Sequence, residues 1–189
     1  MHIIVTFNIE VYNKNMTNNN LGKVHIYTGN GKGKTTAALG LALRAIGAGY
    51  KVYIIQFLKS QDYSELKSLK PLKKVTLKRF GQKSFIYSKG NKVDNSEAKK
   101  ALTWSKKIIK SNKFNVVILD EVFLATWFRL VKVGDLVKLI KSKPKNVELV
   151  LTGRKASPQI IKLADYVTEM KEVKHPYQKG LQARKGIED

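Results

Sequence analysis

Tyr27-Thr28-Gly29-Asn30-Gly31-Lys32-Gly33-Lys34-Thr35-Thr36 carries three glycines in five residues, followed by Lys-Thr-Thr. The residues before it, Lys23 to Tyr27, are a short β-prone run, and those after it place Ala38, Leu41, Ala42 and Ala45 at helical spacing. A glycine-rich stretch between a strand and a helix predicts a phosphate-binding loop. The glycines are expected to take positive φ and turn backbone N–H groups towards an anion. Lys34 can then reach the phosphates, Thr35 can offer its hydroxyl to Mg²⁺, and the helix N-terminus adds its dipole. The spacing G-x-x-x-x-G-K-[ST] is met at Gly33-Lys34-Thr35, whereas its first position is Thr28 and the glycine is displaced to 29. A nucleoside triphosphate such as ATP is the expected ligand.

Downstream, Gly47-Ala48-Gly49 supplies a helix stop. The almost wholly apolar run Lys51 to Phe57 then predicts a strand covered on both faces. Strand, helix and strand in this order make a βαβ unit, hence a parallel sheet. Gln56 and Lys59 fall at the carboxyl edge of that second strand, where ligands of open α/β sheets collect. Further strands are expected at 75–80, 116–121, 147–152 and 166–170. Helices are expected in part of 60–75, from a cap at Asp94 or Ser96 through Ile109, over 135–141, and after the Ser157-Pro158 start signal. Trp104 lies off its helix's apolar stripe and is assigned to packing. The run Val116-Val117-Ile118-Leu119-Asp120-Glu121 ends an apolar strand in two carboxylates, which can hold Mg²⁺ beside the loop.

The chain has 189 residues, 43% of them hydrophobic, enough for one domain with a full core. Residues 1–21 contain a β-prone piece and an asparagine cluster and read as a flexible leader, with Met16 as an alternative start; residues 22–189 form the nucleotide-binding domain. Zero cysteines exclude disulfides and thiolate chemistry. No apolar run reaches the roughly 18 residues a membrane span needs, and the start lacks the features of a secretory signal, so a cytoplasmic location is expected. The formal net charge is +22, yet the lysines are scattered over presumed polar faces, and no nucleic-acid-binding motif is present.

Taken together, the loop-helix block Thr28 to Gly47, the strand end VVILDE, Leu151-Thr152-Gly153-Arg154, and the blocks ADYVTEM and KHPYQKGLQARKGIE closely resemble the P-loop type of corrinoid adenosyltransferase. The resemblance spans Lys23 to Glu188. It implies a single-domain α/β fold of the P-loop NTPase (RecA-like) kind, a three-layer sandwich with a mostly parallel central sheet. It also implies that ATP gives its 5′-deoxyadenosyl group to a Co(I) corrinoid and that triphosphate leaves. By the same resemblance, Gly29, Asn30, Gly31, Lys32, Gly33, Lys34, Thr35 and Thr36 form the triphosphate site. Thr35 and Glu121, with Asp120 close by, are Mg²⁺ partners, and Arg44 lies near the nucleoside. Arg154 contacts phosphate or pairs with an acid. Phe85 and Tyr87 match the aromatic pair that crowds the corrin, or else pack a hairpin. His175 matches a family histidine, or else packs or caps before Pro176. A homodimer and a reductase that supplies electrons are further implications. A conventional P-loop phosphotransferase or NTPase, and a nucleic-acid-binding ATPase suggested by the charge, are the competing readings. The block from Gly153 to Glu188 argues against the first, and the lack of a helix-turn-helix, a zinc pattern or a basic stripe interleaved with aromatics argues against the second.

Overall fold

A computed structural model describes residues 21–82 and 90–188. Residues 1–20 of the expected leader, Met16 among them, lie outside the described residues, as do Phe85 and Tyr87.

Six strands form one sheet, β1 (Val24–Thr28), β2 (Val52–Phe57), β3 (Val75–Phe80), β4 (Val116–Asp120), β5 (Glu148–Thr152) and β6 (Tyr166–Glu169), in the order β3-β2-β4-β5-β1-β6. Every pairing between them is parallel, a stricter outcome than the mostly parallel sheet expected. Helix α1 (Lys34–Gly47) covers one face. Its Ala38, Ala42 and Ala45 lie against Val52, Ile54, Val116, Ile118 and Val150. The alternate strand residues, Tyr53, Ile55, Phe57, Val117, Leu119, Leu149 and Leu151, point to the other face. There they meet α3 (Lys92–Ser111), α4 (Val122–Trp127) and α5 (Val133–Lys141). Burial on both faces explains why these central strands read as continuous apolar runs. Helices on both faces of one parallel sheet make the three-layer sandwich of a P-loop NTPase-like domain. Short helices α2 (Ser64–Leu69) and α6 (Pro158–Ile161) complete the connections.

Local signals moved in three places. Helix α3 starts at Lys92, because Asn91 is its cap and Asp94 returns a bond to the Asn91 backbone N–H; Asp94 is thus the third helical residue, in a capping box. Ser157 holds the cap position of α6, but its side chain makes no capping bond. Helix α4, which follows β4 after the single residue Glu121, was not anticipated, since six residues are too few to show a period. Trp104 does pack: its Nε1 donates to the Tyr53 hydroxyl at 2.8 Å.

Candidate active site

The carboxyl edge of the sheet gathers the chemistry. The loop leaves β1 through Gly29 (φ 95°) and enters α1 through Gly33 (φ 113°), the positive φ expected of both. Gly31 serves differently. A Cβ there would lie 2.7 Å from the carbonyl oxygens of both Met170 and Lys171, and its N–H donates to Met170 O at 2.7 Å. Gly31 is therefore needed for a close approach to the chain leaving β6, and its N–H is directed at that chain and not at an anion.

Lys34, buried at the start of α1, donates to Gly31 O at 2.6 Å. Burial holds its ammonium below the ordinary lysine value, against the opposing charge of Glu121. Asp120, wholly buried at the end of β4, collects four donors. Thr35 Oγ1 (2.9 Å) and Thr152 Oγ1 (2.7 Å) reach its Oδ1. Lys59 Nζ (2.8 Å) and Gln56 Nε2 (3.2 Å) reach its Oδ2. Burial pushes this carboxyl up, but Lys59 and the hydroxyl donors outweigh it and hold it below the usual aspartate value. Glu121 is different. It adopts a left-handed conformation (φ 60°), its N–H bonds Thr152 Oγ1 at 3.0 Å, and burial together with the charge of Asp120 raises its carboxyl. Of the two carboxylates, Asp120 is saturated by its neighbours and Glu121 faces the cavity.

That cavity, about 600 Å³, runs from the loop residues Asn30 to Thr36 past Glu121 and Arg154 to the C-terminal segment. His175 lines it while its Nδ1 accepts the Tyr177 N–H at 3.2 Å, capping a short 3₁₀ turn (Pro176–Lys179). Lys32 is tied across the opening to Glu188 at 2.9 Å. Arg44 is not among the cavity residues; it sits exposed in the last turn of α1, about 15 Å along the axis from Lys34.

The loop, the strand-end carboxylates and the C-terminal segment thus enclose one space, and this combination has relatives. The sequence profile of the family described as ATP:corrinoid adenosyltransferase BtuR/CobO/CobP matches residues 20–188. The chain belongs to this adenosyltransferase family. A corrinoid adenosyltransferase from Sinorhizobium sp is 33% identical over 177 residues, covering 88% of this chain and 80% of the relative. Those of Pseudomonas aeruginosa (31% over 169 residues, 88% and 83% covered) and Escherichia coli strain K12 (29% over 167 residues, 88% and 85% covered) are similar. Members of this family are transferases of alkyl groups that take ATP as co-substrate. Within this adenosyltransferase, Lys59 is the principal site residue to which sequence reasoning gave no role. Its place at a strand's carboxyl edge was legible, whereas its ion pair with Asp120 was not. Among the described residues, no helix is long and apolar enough to cross a membrane.

Proposed function

We propose that the loop Gly29–Thr36 seats the triphosphate of ATP while a Co(I) corrinoid attacks the 5′ carbon. The electron pair of Co(I) forms the Co–C bond, the C5′–O bond breaks, and inorganic triphosphate departs with that bond's electrons. The observation that carries this reading is the enclosure of the glycine-rich loop by the segment His175–Glu188, which conventional phosphoryl transfer has no reason to require. Lys34, at the base of the cavity, is placed to leave Gly31 O for the phosphates. Charge grows on the leaving triphosphate, and a preorganised cation there lowers the barrier. The nucleophile carries no proton, so no general base is required. His175, whose ring nitrogen is engaged in capping, has a wall-forming role.

The donor set suits Mg²⁺. Thr35 gives its hydroxyl hydrogen to Asp120 and keeps oxygen lone pairs, and Glu121 supplies a carboxylate on the cavity wall. Such hard oxygens, few in number and completed by phosphates, fit that ion. Thr35 and Glu121 would hold it, and Asp120 would orient Thr35. When bound, Mg²⁺ neutralises triphosphate charge. The exposed Arg154 and Lys32 border the same opening and complete the phosphate contacts. Arg44 stands too far along α1 to share them and has no part in this reading.

A Co(I) substrate has to be generated from a more oxidised corrinoid, so a reductase is the natural partner. Phe85 and Tyr87, by family resemblance, crowd the corrin to ease that reduction. A homodimer in the cytoplasm completes the proposal. Incubation with ATP, Mg²⁺ and chemically reduced cobalamin tests it: an adenosylated corrinoid and triphosphate are expected, whereas ADP and phosphate would overturn it.

A further inference from the structure

Lys59 is held in place by its backbone as well as by its partner. Its N–H donates to Phe80 O at 3.2 Å, and Leu58 before it takes a left-handed conformation (φ 56°), which a leucine rarely adopts. The side chain then runs to Asp120, where Nζ meets Oδ2 at 2.8 Å. Gln56 Nε2 approaches the same oxygen at 3.2 Å, and the Lys59 ammonium lies 5.3 Å from the centre of the Tyr63 ring.

A buried ion pair adds little net stability compared with a well-packed apolar pair, because desolvation takes back most of the attraction. Its effect on the neighbouring carboxylate is larger. Glu121, the acid open to the cavity, stands with Asp120 against three cations, Lys59, Lys34 and Arg154. Glu65, acting on Lys59, and Glu172, acting on Lys34, contribute less. A divalent cation arriving alone therefore meets carboxylates whose charge is already answered by fixed cations. It also finds both oxygens of Asp120 taken, Oδ1 by Thr35 and Thr152 and Oδ2 by Lys59 and Gln56. A triphosphate changes the balance, since it brings several negative charges and oxygen ligands of its own. Removing the charge of Lys59 would do the same from the protein side, by freeing Asp120 Oδ2 and leaving one negative charge unanswered.

We propose that Lys59 is a positioning residue that withholds Asp120 from the metal, so that the site takes up Mg²⁺ together with the triphosphate of ATP and not before it. This rests on the reading above in which Thr35 and Glu121 hold Mg²⁺, and adds to it the residue that sets the order of arrival.

The test titrates nucleotide-free protein with Mn²⁺ by calorimetry. Wild type and Lys59→Arg are expected to bind it weakly. Lys59→Gln, neutral but still a donor, should bind Mn²⁺ about tenfold or more tightly, since the charge count of a site sets its metal affinity. Adding Asp120→Asn to Lys59→Gln should return the affinity to the wild-type level, an outcome that a purely structural role for Lys59 does not give. Millimolar Mn²⁺ should likewise raise the thermal transition of Lys59→Gln, or restore its fold if the variant is unfolded without metal, while leaving wild type unmoved. Tight Mn²⁺ binding by nucleotide-free wild type, or no gain in Lys59→Gln by either measurement, would overturn the proposal. A companion titration with ATP separates the two levels. Wild type whose ATP affinity depends on Mg²⁺, beside an indifferent Lys59→Gln, sinks only this inference. Wild type whose ATP affinity ignores Mg²⁺ sinks the metal reading beneath it.

Discussion

Lys59 Nζ stands 2.8 Å from Asp120 Oδ2, an ion pair between residues 61 positions apart, with side chains 15% and 2% exposed. The backbone aims the lysine there. Leu58 before it is left-handed (φ 56°), and a Cβ on Gly81 would come within 2.7 Å of Lys59 N, so the two strand exits are packed backbone to backbone. A resident cation thereby takes up the charge of Asp120 and leaves Glu121 as the carboxylate open to the cavity.

Replacing Lys59 by Met should strand Asp120 as a buried, undercompensated charge. Breaking one side of such a pair costs about 3–5 kcal/mol. Urea denaturation at neutral pH should register that loss; a cost below about 1 kcal/mol would show that Gln56, Thr35 and Thr152 suffice. The cost should shrink in acid. A carboxyl with a depressed folded pKa contributes stability above its ordinary value of 3.8, and this is lost as pH falls through the folded value. The gap between variant and wild type should therefore narrow at low pH.

Lys34→Ala should lower adenosyl transfer by on the order of a hundredfold, the scale on which one preorganised charge acts in a desolvated site. The side chain contacts its own loop at Gly31 O, so the fold should survive. Single-turnover rates with excess reduced cobalamin would check it, and near-normal rates would remove the loop from the chemistry.

Glu121→Gln separates stability from function. Its raised carboxyl favours the fold below the ordinary glutamate value of 4.5 and loses that advantage as pH rises through the folded value. At pH 7 the ionised glutamate beside Asp120 is thus a burden, and the Gln variant should melt a few degrees higher, roughly 2–4 °C. That gain should shrink towards pH 4. Mg²⁺ binding, read by titration, should weaken. A variant less stable at pH 7 would contradict the assignment.

Gly31→Ala should fail for lack of space, not for φ. Its Cβ would meet two backbone oxygens at 2.7 Å, and overpacking against backbone typically costs about 1–3 kcal/mol. Thermal denaturation should show the loss, and KM for ATP should rise as the loop lifts from Met170. An unchanged melting temperature would mean that the segment after β6 yields freely.

The order of strands and helices around the loop was legible because each rests on local signals. Alternating or continuous apolar runs, helical spacing and glycine stops act within about one element's length. Helix α4 was not, being too short to display a period, and with it Trp127 had no visible place. Gly31 was misread for a related reason: a glycine demanded by positive φ and one demanded by a neighbouring chain look identical in sequence. The segment it touches, Met170-Lys171, arrives from the far end of the chain.

By itself the sequence determined a phosphate-binding loop opening a βαβ unit, a carboxylate pair at a strand end and a family-specific tail, since these depend on neighbours in the chain. Only the tertiary structure decided which carboxylate is spent and which is open. Asp120 is claimed by Thr35, 85 positions away, by Lys59, 61 away, and by Thr152, 32 away. The register of β2, β4 and β5 brings Lys59 and Thr152 to Asp120 at one sheet edge, and β1, paired with β5, delivers Thr35 to the same edge at the start of α1. Hydrogen bonds act over about 3 Å, so a site is made by whichever strands are adjacent in space, and that adjacency belongs to the folded sheet.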